Sequence, residues 1–256
     1  MLTITTEWFT AFLLVLARVG GLIALAPLPG TRLAPASTKV SLALLLALLL
    51  LPLAQVRPAA GAGIGTVAAW MAQEAAFGLA VGVALQFLSE MMGLAAQLLG
   101  FQAGYSYINT VDPTTQVDAT ILNVILTLLG GLLLFALDLH LHLIRALAVS
   151  LERIPAGEFR ASPQAALQLA RVGSAVFETA VRLAFPIVAL LLVLDVALAL
   201  LSYVNARMQL LTLSFPIKMA ATMLVLFVVL LAAPRLFHQL AARALGAVEG
   251  LLVHGR

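Results

Sequence analysis

Apolar positions along the chain gather into six runs, at residues 9–28, 40–53, 67–101, 121–137, 175–201 and 215–233. The runs are continuous and rich in Leu and Ala. They lack the period-two alternation of a lipid-facing β-strand, so the predicted elements are helices and not the staves of a barrel. Proline and glycine punctuate them. Pro27, Pro29 and Gly30 end the first run, and Pro52 with the Gly-rich stretch 57–63 ends the second. Pro155, Gly157 and Pro163 mark a polar connection, and Pro216 and Pro234 bracket the last run. Proline lacks a backbone donor and restricts the residue before it, which makes these natural helix stops and starts.

The run lengths are uneven. A spanning helix needs about 20 apolar residues. By that measure the 40–53 run is too short to cross alone and the 67–101 run is too long for one straight span. A bundle of six equal spans in flat lipid fits badly. Helices packed against other membrane subunits fit better, because protein neighbours can take the place of lipid. No internal repeat is visible.

Composition turns the helical pattern into a class. Of 256 residues, 63% are hydrophobic and 10% charged, against about 25% charged in soluble domains. Mean hydropathy is +1.11. A soluble fold of this size could not cover so much apolar side chain, so the expected fold is an all-α, polytopic membrane protein forming a single domain over residues 1–256. The chain has no cysteine, which excludes disulfides, thiol catalysis and Cys-based metal sites. The net charge of +3 is ascribed to Lys and Arg in connections; no basic run with interleaved aromatics suggests nucleic acid. The N-terminus reads as a retained first helix, not a signal peptide: Glu7 precedes it without any Lys or Arg, and Arg18 interrupts its apolar stretch. Counting Lys and Arg by connection puts 152–171, the Arg57 loop and the 235–256 tail on one side, which would be cytoplasmic and hold both termini.

Polar groups inside apolar runs are costly and each asks for a reason. In the third run Gly82, Gln86, Glu90, Gly93, Gln97 and Gly100 are spaced by 4, 4, 3, 4 and 3. At 100° per residue they form one narrow stripe, with Ser89 at its edge. Two readings stand: a helix-packing or subunit seam, where small residues allow close approach, or the lining of a pore. Glu178 and Arg182 lie at i, i+4 and suit a local ion pair. Asp195 has no opposite charge within a turn, so it must pair with another segment or subunit, face water, or be protonated. Arg18 calls for a partner carboxylate or a route to the interface. His140 and His142 are two apart and face different ways, a poor metal pair; Asp138 and His142 have hydrogen-bonding spacing. No Walker loop, GxSxG elbow or paired carboxylate is present, so the expectation is a protein without enzymatic activity or cofactor.

A polar tract at residues 100–124 divides the chain. Asp112-Pro113 disfavours helix, the residues from Tyr105 to Val111 are poor helix formers, and Asp118 or Thr120 could cap a helix starting near Ile121. The reading is a loop of roughly twenty residues, longer than most connections in compact folds. Tyr105, Tyr107 and Ile108 are bulky for a solvated linker, so either an external loop or one packed into a protein-lined cavity is possible.

Here the sequence resembles a known family. Gly104, Tyr105, Ser106, Tyr107, Ile108, Asn109, Thr110, Val111, Asp112 and Pro113, followed by the run from Ile121, are similar to the central signature of the FliR/SctT family, membrane subunits of the bacterial type III export gate. Three other stretches agree: Arg18 through Pro29 followed by residues 39–43, residues 194–201 around Asp195, and Ser214-Phe215-Pro216-Ile217-Lys218. The last connection departs from the family: Asn205, Ala206, Arg207 and Met208 stand where Ala-Pro-Gln-Leu is common.

The resemblance implies a multi-pass subunit of uneven helical hairpins in the bacterial inner membrane, at the flagellar basal body. There it would pack into a helical export-gate complex with FliP-like and FliQ-like subunits and an associated FlhB-like switch protein. That complex forms the mouth of a channel for unfolded secreted substrates. The tract from Gly104 to about Asp118 would be its plug. An injectisome homologue would play the same part. Two other classes stand beside it: a stand-alone ion- or proton-coupled transporter using Asp195, Glu90 and Arg182, and a membrane scaffold without a conduit.

Overall fold

A computed structural model describes residues 6–26, 35–54, 63–104, 121–160, 162–204 and 210–254. Among these residues the chain forms α-helices α1 (Thr6–Leu25), α2 (Ala36–Leu50), α3 (Ile64–Ala103), α4 (Ile121–Ala136), α5 (Leu139–Arg153), α6 (Pro163–Val204), α7 (Leu210–Leu230) and α8 (Ala233–His254), with a short 3₁₀ turn at Leu51–Leu53. The all-α membrane class holds. Four helices are long and apolar enough to cross a membrane. Counting the α4–α5 and α7–α8 pairs, each bent at a short break, as one span apiece raises this to six.

Local chemistry sets the helix ends. Pro35, with extended backbone, precedes α2. Pro52 sits in the first turn of the 3₁₀ segment, where its missing N–H costs nothing. Helix α3 stops at Gly104, whose φ of +81° is left-handed and is the conformation that glycine adopts most readily at a helix C-terminus. Helix α4 gives way to α5 through Asp138, at φ +53°, whose carbonyl accepts the N–H of Leu141 at 3.0 Å and of His142 at 3.2 Å. Pro163 opens α6 at the first helical position, where proline is favoured.

The structure corrects several boundaries. The 40–53 run is not too short: helix begins at Ala36, and Ala36–Leu53 makes an 18-residue candidate span. The connection expected over 152–171 shrinks to residues 154–162, because α6 already starts at Pro163. Charge alone does not end a helix, and Gln164 to Arg171 form its solvent-compatible first turns. The tail from Arg235 is also helical, as α8. Pro216 does not bracket the last span but lies inside α7, and Pro186 lies inside α6. Within a membrane protein, neighbouring groups can satisfy the carbonyls that a proline frees. Helices α3 and α6 have 40 and 42 residues, about 60 Å each at 1.5 Å per residue, twice the hydrocarbon thickness.

The chain divides into two compact units. The first comprises residues 1–88, 134–174 and 241–256; the second comprises 89–133 and 175–240. In the first, the core is built from Leu14, Val15, Val19 and Leu22 of α1, Phe77, Val81 and Leu85 of α3, and Leu139, Leu143, Leu147 and Leu151 of α5. The four α5 leucines recur every fourth residue and so line one face. Two glycines let α1 and α3 meet backbone to backbone. A Cβ on Gly78 would strike the Arg18 carbonyl oxygen and stand 2.9 Å from the Leu22 nitrogen, and one on Gly21 would stand 2.9 Å from the Leu79 nitrogen. In the second unit Met91, Met92 and Leu99 of α3, Leu122 and Leu126 of α4, and Leu183, Ile187 and Leu191 of α6 are buried. Buried hydroxyls there are satisfied within their own helices: Thr179 donates to Ala175 O at 2.6 Å and Thr222 to Lys218 O at 2.7 Å. Outer faces stay apolar, as at Leu45 and Leu49 of α2 and Phe185 and Leu192 of α6, which suits lipid or partner helices.

Candidate functional site

Among the described residues each unit holds a polar cluster built by charges set in apolar helices. In the first unit Arg18 of α1 is fully buried. Its Nε donates to the Glu74 carboxylate, Nη1 donates to Ser150 Oγ at 3.0 Å and Nη2 to the Ile154 carbonyl at 3.3 Å. The other Glu74 oxygen accepts the Gly157 N–H at 2.8 Å. Phe77 presents its ring face 5.0 Å from the guanidinium carbon, and Phe159 meets Phe77 edge-on at 5.0 Å. Every side of the pair is thus occupied, which is what a buried ion pair needs to persist. The cluster joins α1, α3, α5 and the 154–157 turn. Gly157, at φ +95°, supplies a bend that a side chain would strain.

The second cluster stands at the foot of the central tract. Lys218 of α7 pairs with Asp195 of α6, and Gln102 Nε2 of α3 donates to the second Asp195 oxygen at 3.2 Å. Gln102 lies two residues before Gly104, where α3 ends. Three helices are therefore tied together where the polar tract leaves the fold. The pair is only partly sheltered: the Lys218 side chain is 16% exposed and that of Asp195 40%. The tie is polar and partly exposed, unlike the sealed Arg18 cluster. It also unites two motifs, around Asp195 and around Lys218, that lie far apart in sequence. Pro216 is exposed; the side chain of Phe215 lies outside the described residues.

The remaining predicted residues separate. Of the stripe, Gly82 is buried against α1, where an added Cβ would come within 3.0 Å of the Leu22 carbonyl oxygen and of Leu25 Cβ. Gln86, Glu90 and Gly93 are half-buried, Gln97 is exposed and Gly100 buried. The Gly82 end is therefore helix packing within the chain. Glu178 and Arg182 pair at 2.6 Å on an exposed face. His142 meets the backbone carbonyl of Asp138 at 3.0 Å, not its carboxylate, and His140 meets the Phe135 ring edge-on. Among the described residues no group of His, Asp and Glu could hold a metal ion. Tyr105, Ser106, Tyr107, Ile108, Asn109, Thr110, Val111, Asp112, Pro113 and Asp118 lie outside the described residues, as do Asn205 to Met208.

Two contributors escaped the sequence reading. Glu74 had a signal: with Glu90 it is one of only two charges in α3, and a buried Arg18 requires a carboxylate. Gln102 had almost none, because it falls on the face of α3 opposite the stripe, about 200° from Gly82.

Residues 9–244 match the family model for bacterial export proteins, family 1. The chain belongs to that family. It is similar to the flagellar biosynthetic protein FliR of Escherichia coli K12, with 30% identity over 86% of this chain and 85% of that protein. FliR of Pectobacterium carotovorum is 28% identical over 86% of this chain and 84% of its own length. FliR of Bacillus subtilis is 24% identical over 87% and 86%. The match reaches from α1 into α8 and so spans the residues of both polar clusters and the tract between α3 and α4.

Proposed function

We propose that this chain is the FliR-like subunit of a flagellar type III export gate in the bacterial inner membrane. It would work with FliP-like and FliQ-like subunits and a FlhB-like switch protein to form the mouth of a channel for unfolded protein substrates. The tract from Gly104 to Asp118 is its plug. The observation that carries this reading is the Gln102–Asp195–Lys218 tie at the point where α3 ends and the tract begins. A plug needs a fixed root and a mobile tip. A half-exposed ion pair, worth about 1 kcal/mol or less, anchors the root without locking it. The mixture of Tyr and Ile with Thr, Asn and Asp in the tract suits packing that can be reversed. A stand-alone carrier using Asp195 as its coupling group receives no support, because Lys218 and Gln102 already occupy both carboxylate oxygens.

The test is removal of residues 106–117 from the chain co-expressed with its gate partners. Ion conductance through the assembled gate is then measured in cells or planar bilayers. The deletion raises conductance in the absence of substrate while the complex still co-purifies. Unchanged conductance in an intact complex would sink the plug, and failure to recover any such complex from the unaltered chain would sink the gate assignment.

A further inference from the structure

The geometry points to a binding site for the phosphate of an anionic phospholipid in a groove between α5 and α8 of the first unit. The groove is half open, holds about 230 Å³ and is lined by His142, Arg145 and Arg153 on α5 and by Leu245, Leu252 and Glu249 on α8. That is many times the roughly 10–15 Å³ that one water needs by the same measure, room for a phosphodiester and the glycerol behind it. At 100° per residue the three basic positions fall within about 80° of the α5 circumference, so they point into the groove together. Opposite them, the α8 leucines make an apolar wall. A cationic rim beside an apolar wall is what a charged headgroup joined to an acyl chain requires, and basic pockets between membrane helices hold anionic headgroups.

Three observations favour a ligand over a solvated face. The Arg145 guanidinium has no partner among the described residues. The groove lining carries two arginines against one carboxylate, Glu249. Unlike α2 and α3, the helices α5 and α8 each carry both arginine and glutamate, and each follows an apolar helix across a short break. Two such amphipathic helices, lying side by side in a membrane protein, suit the level of the headgroups. Free phosphate would satisfy the arginines but leave the apolar wall unused, which selects the lipid. The inference does not depend on the gate assignment.

The experiment titrates the purified full-length chain, in non-ionic detergent, with short-chain phosphatidylglycerol, the matching phosphatidylcholine, or inorganic phosphate, and counts bound molecules by native mass spectrometry. Phosphatidylglycerol should bind at least tenfold more tightly than phosphatidylcholine, and phosphate should not displace it at equal concentration. Each arginine near an anionic headgroup is worth about fivefold in affinity, so Arg145→Gln with Arg153→Gln should weaken binding by about 25-fold. Glu249→Gln removes the one opposing charge and should strengthen it several-fold. This arm decides the matter if the double variant does not fold, since no merely structural role predicts a gain. Equal binding of the two lipids, displacement by phosphate at equal concentration, undiminished binding to the double variant, or no gain with Glu249→Gln would each overturn the site.

Discussion

Glu74→Ala removes the carboxylate at the centre of the first unit, and its consequence can be worked out from the contacts. Arg18 and Glu74 are both 0% exposed. Losing the carboxylate leaves a buried guanidinium with two neutral acceptors, Ser150 Oγ and the Ile154 carbonyl, and orphans the Gly157 N–H. Breaking a buried pair by deleting one partner costs about 3–5 kcal/mol, and the stranded N–H adds to the upper end of that range. Arg18→Met together with Glu74→Met should cost far less than the sum of the single changes, about 2 kcal/mol or less. No charge is then left without a partner, and the methionines refill much of the volume. The measurement is denaturant unfolding of the purified chain in detergent micelles, followed by helical circular dichroism, for Glu74→Ala and for Arg18→Met, Glu74→Met and the double of the last two. A double-mutant cycle isolates the pair. If Glu74→Ala costs under about 1 kcal/mol, or if the double variant equals the sum of the singles, the pair does not hold α1, α3 and α5 together and the reasoning fails.

Other outcomes follow from the same contacts. Gly78→Ala drives a methyl group into the Arg18 carbonyl and should destabilise by about 1–3 kcal/mol in the same unfolding assay. Gly20→Ala, with open space around it, should be neutral or slightly stabilising. Gly104→Val forces a β-branched residue to φ +81° and should cost about 1–2 kcal/mol, seen as faster amide exchange over the last turn of α3; Gly104→Asn should be milder. A cycle of Asp195→Asn and Lys218→Met should give a coupling of about 0.5–1 kcal/mol that fades as salt is raised, since the pair is partly exposed. Additivity at low salt would mean that the two do not interact.

The sequence by itself determined the solvent, the element type and most of the helix ends. Apolar runs this long can satisfy their backbone only as helices in lipid. The second run ends at Pro52 and a helix opens at Ile121, as local signals indicated. It also showed that Arg18 and Asp195 needed company, because an isolated charge in an apolar helix is too costly. It erred where local signals compete with packing. Charge at 163–171 and 235–254 suggested loops, yet α6 and α8 continue through both, since an amphipathic helix gains from its buried face alone. Only the tertiary structure decided the partners. Glu74 is 56 residues from Arg18, and Gln102 is 93 from Asp195. The stripe of small and polar residues on α3 was legible as a pattern, but its Gly82 end proved to be a packing seam. Periodicity fixes which residues share a face and carries no information about what that face meets. Which carboxylate, amide or groove meets a given charge is set by how helices distant in the chain pack together, and no spacing along one segment encodes that.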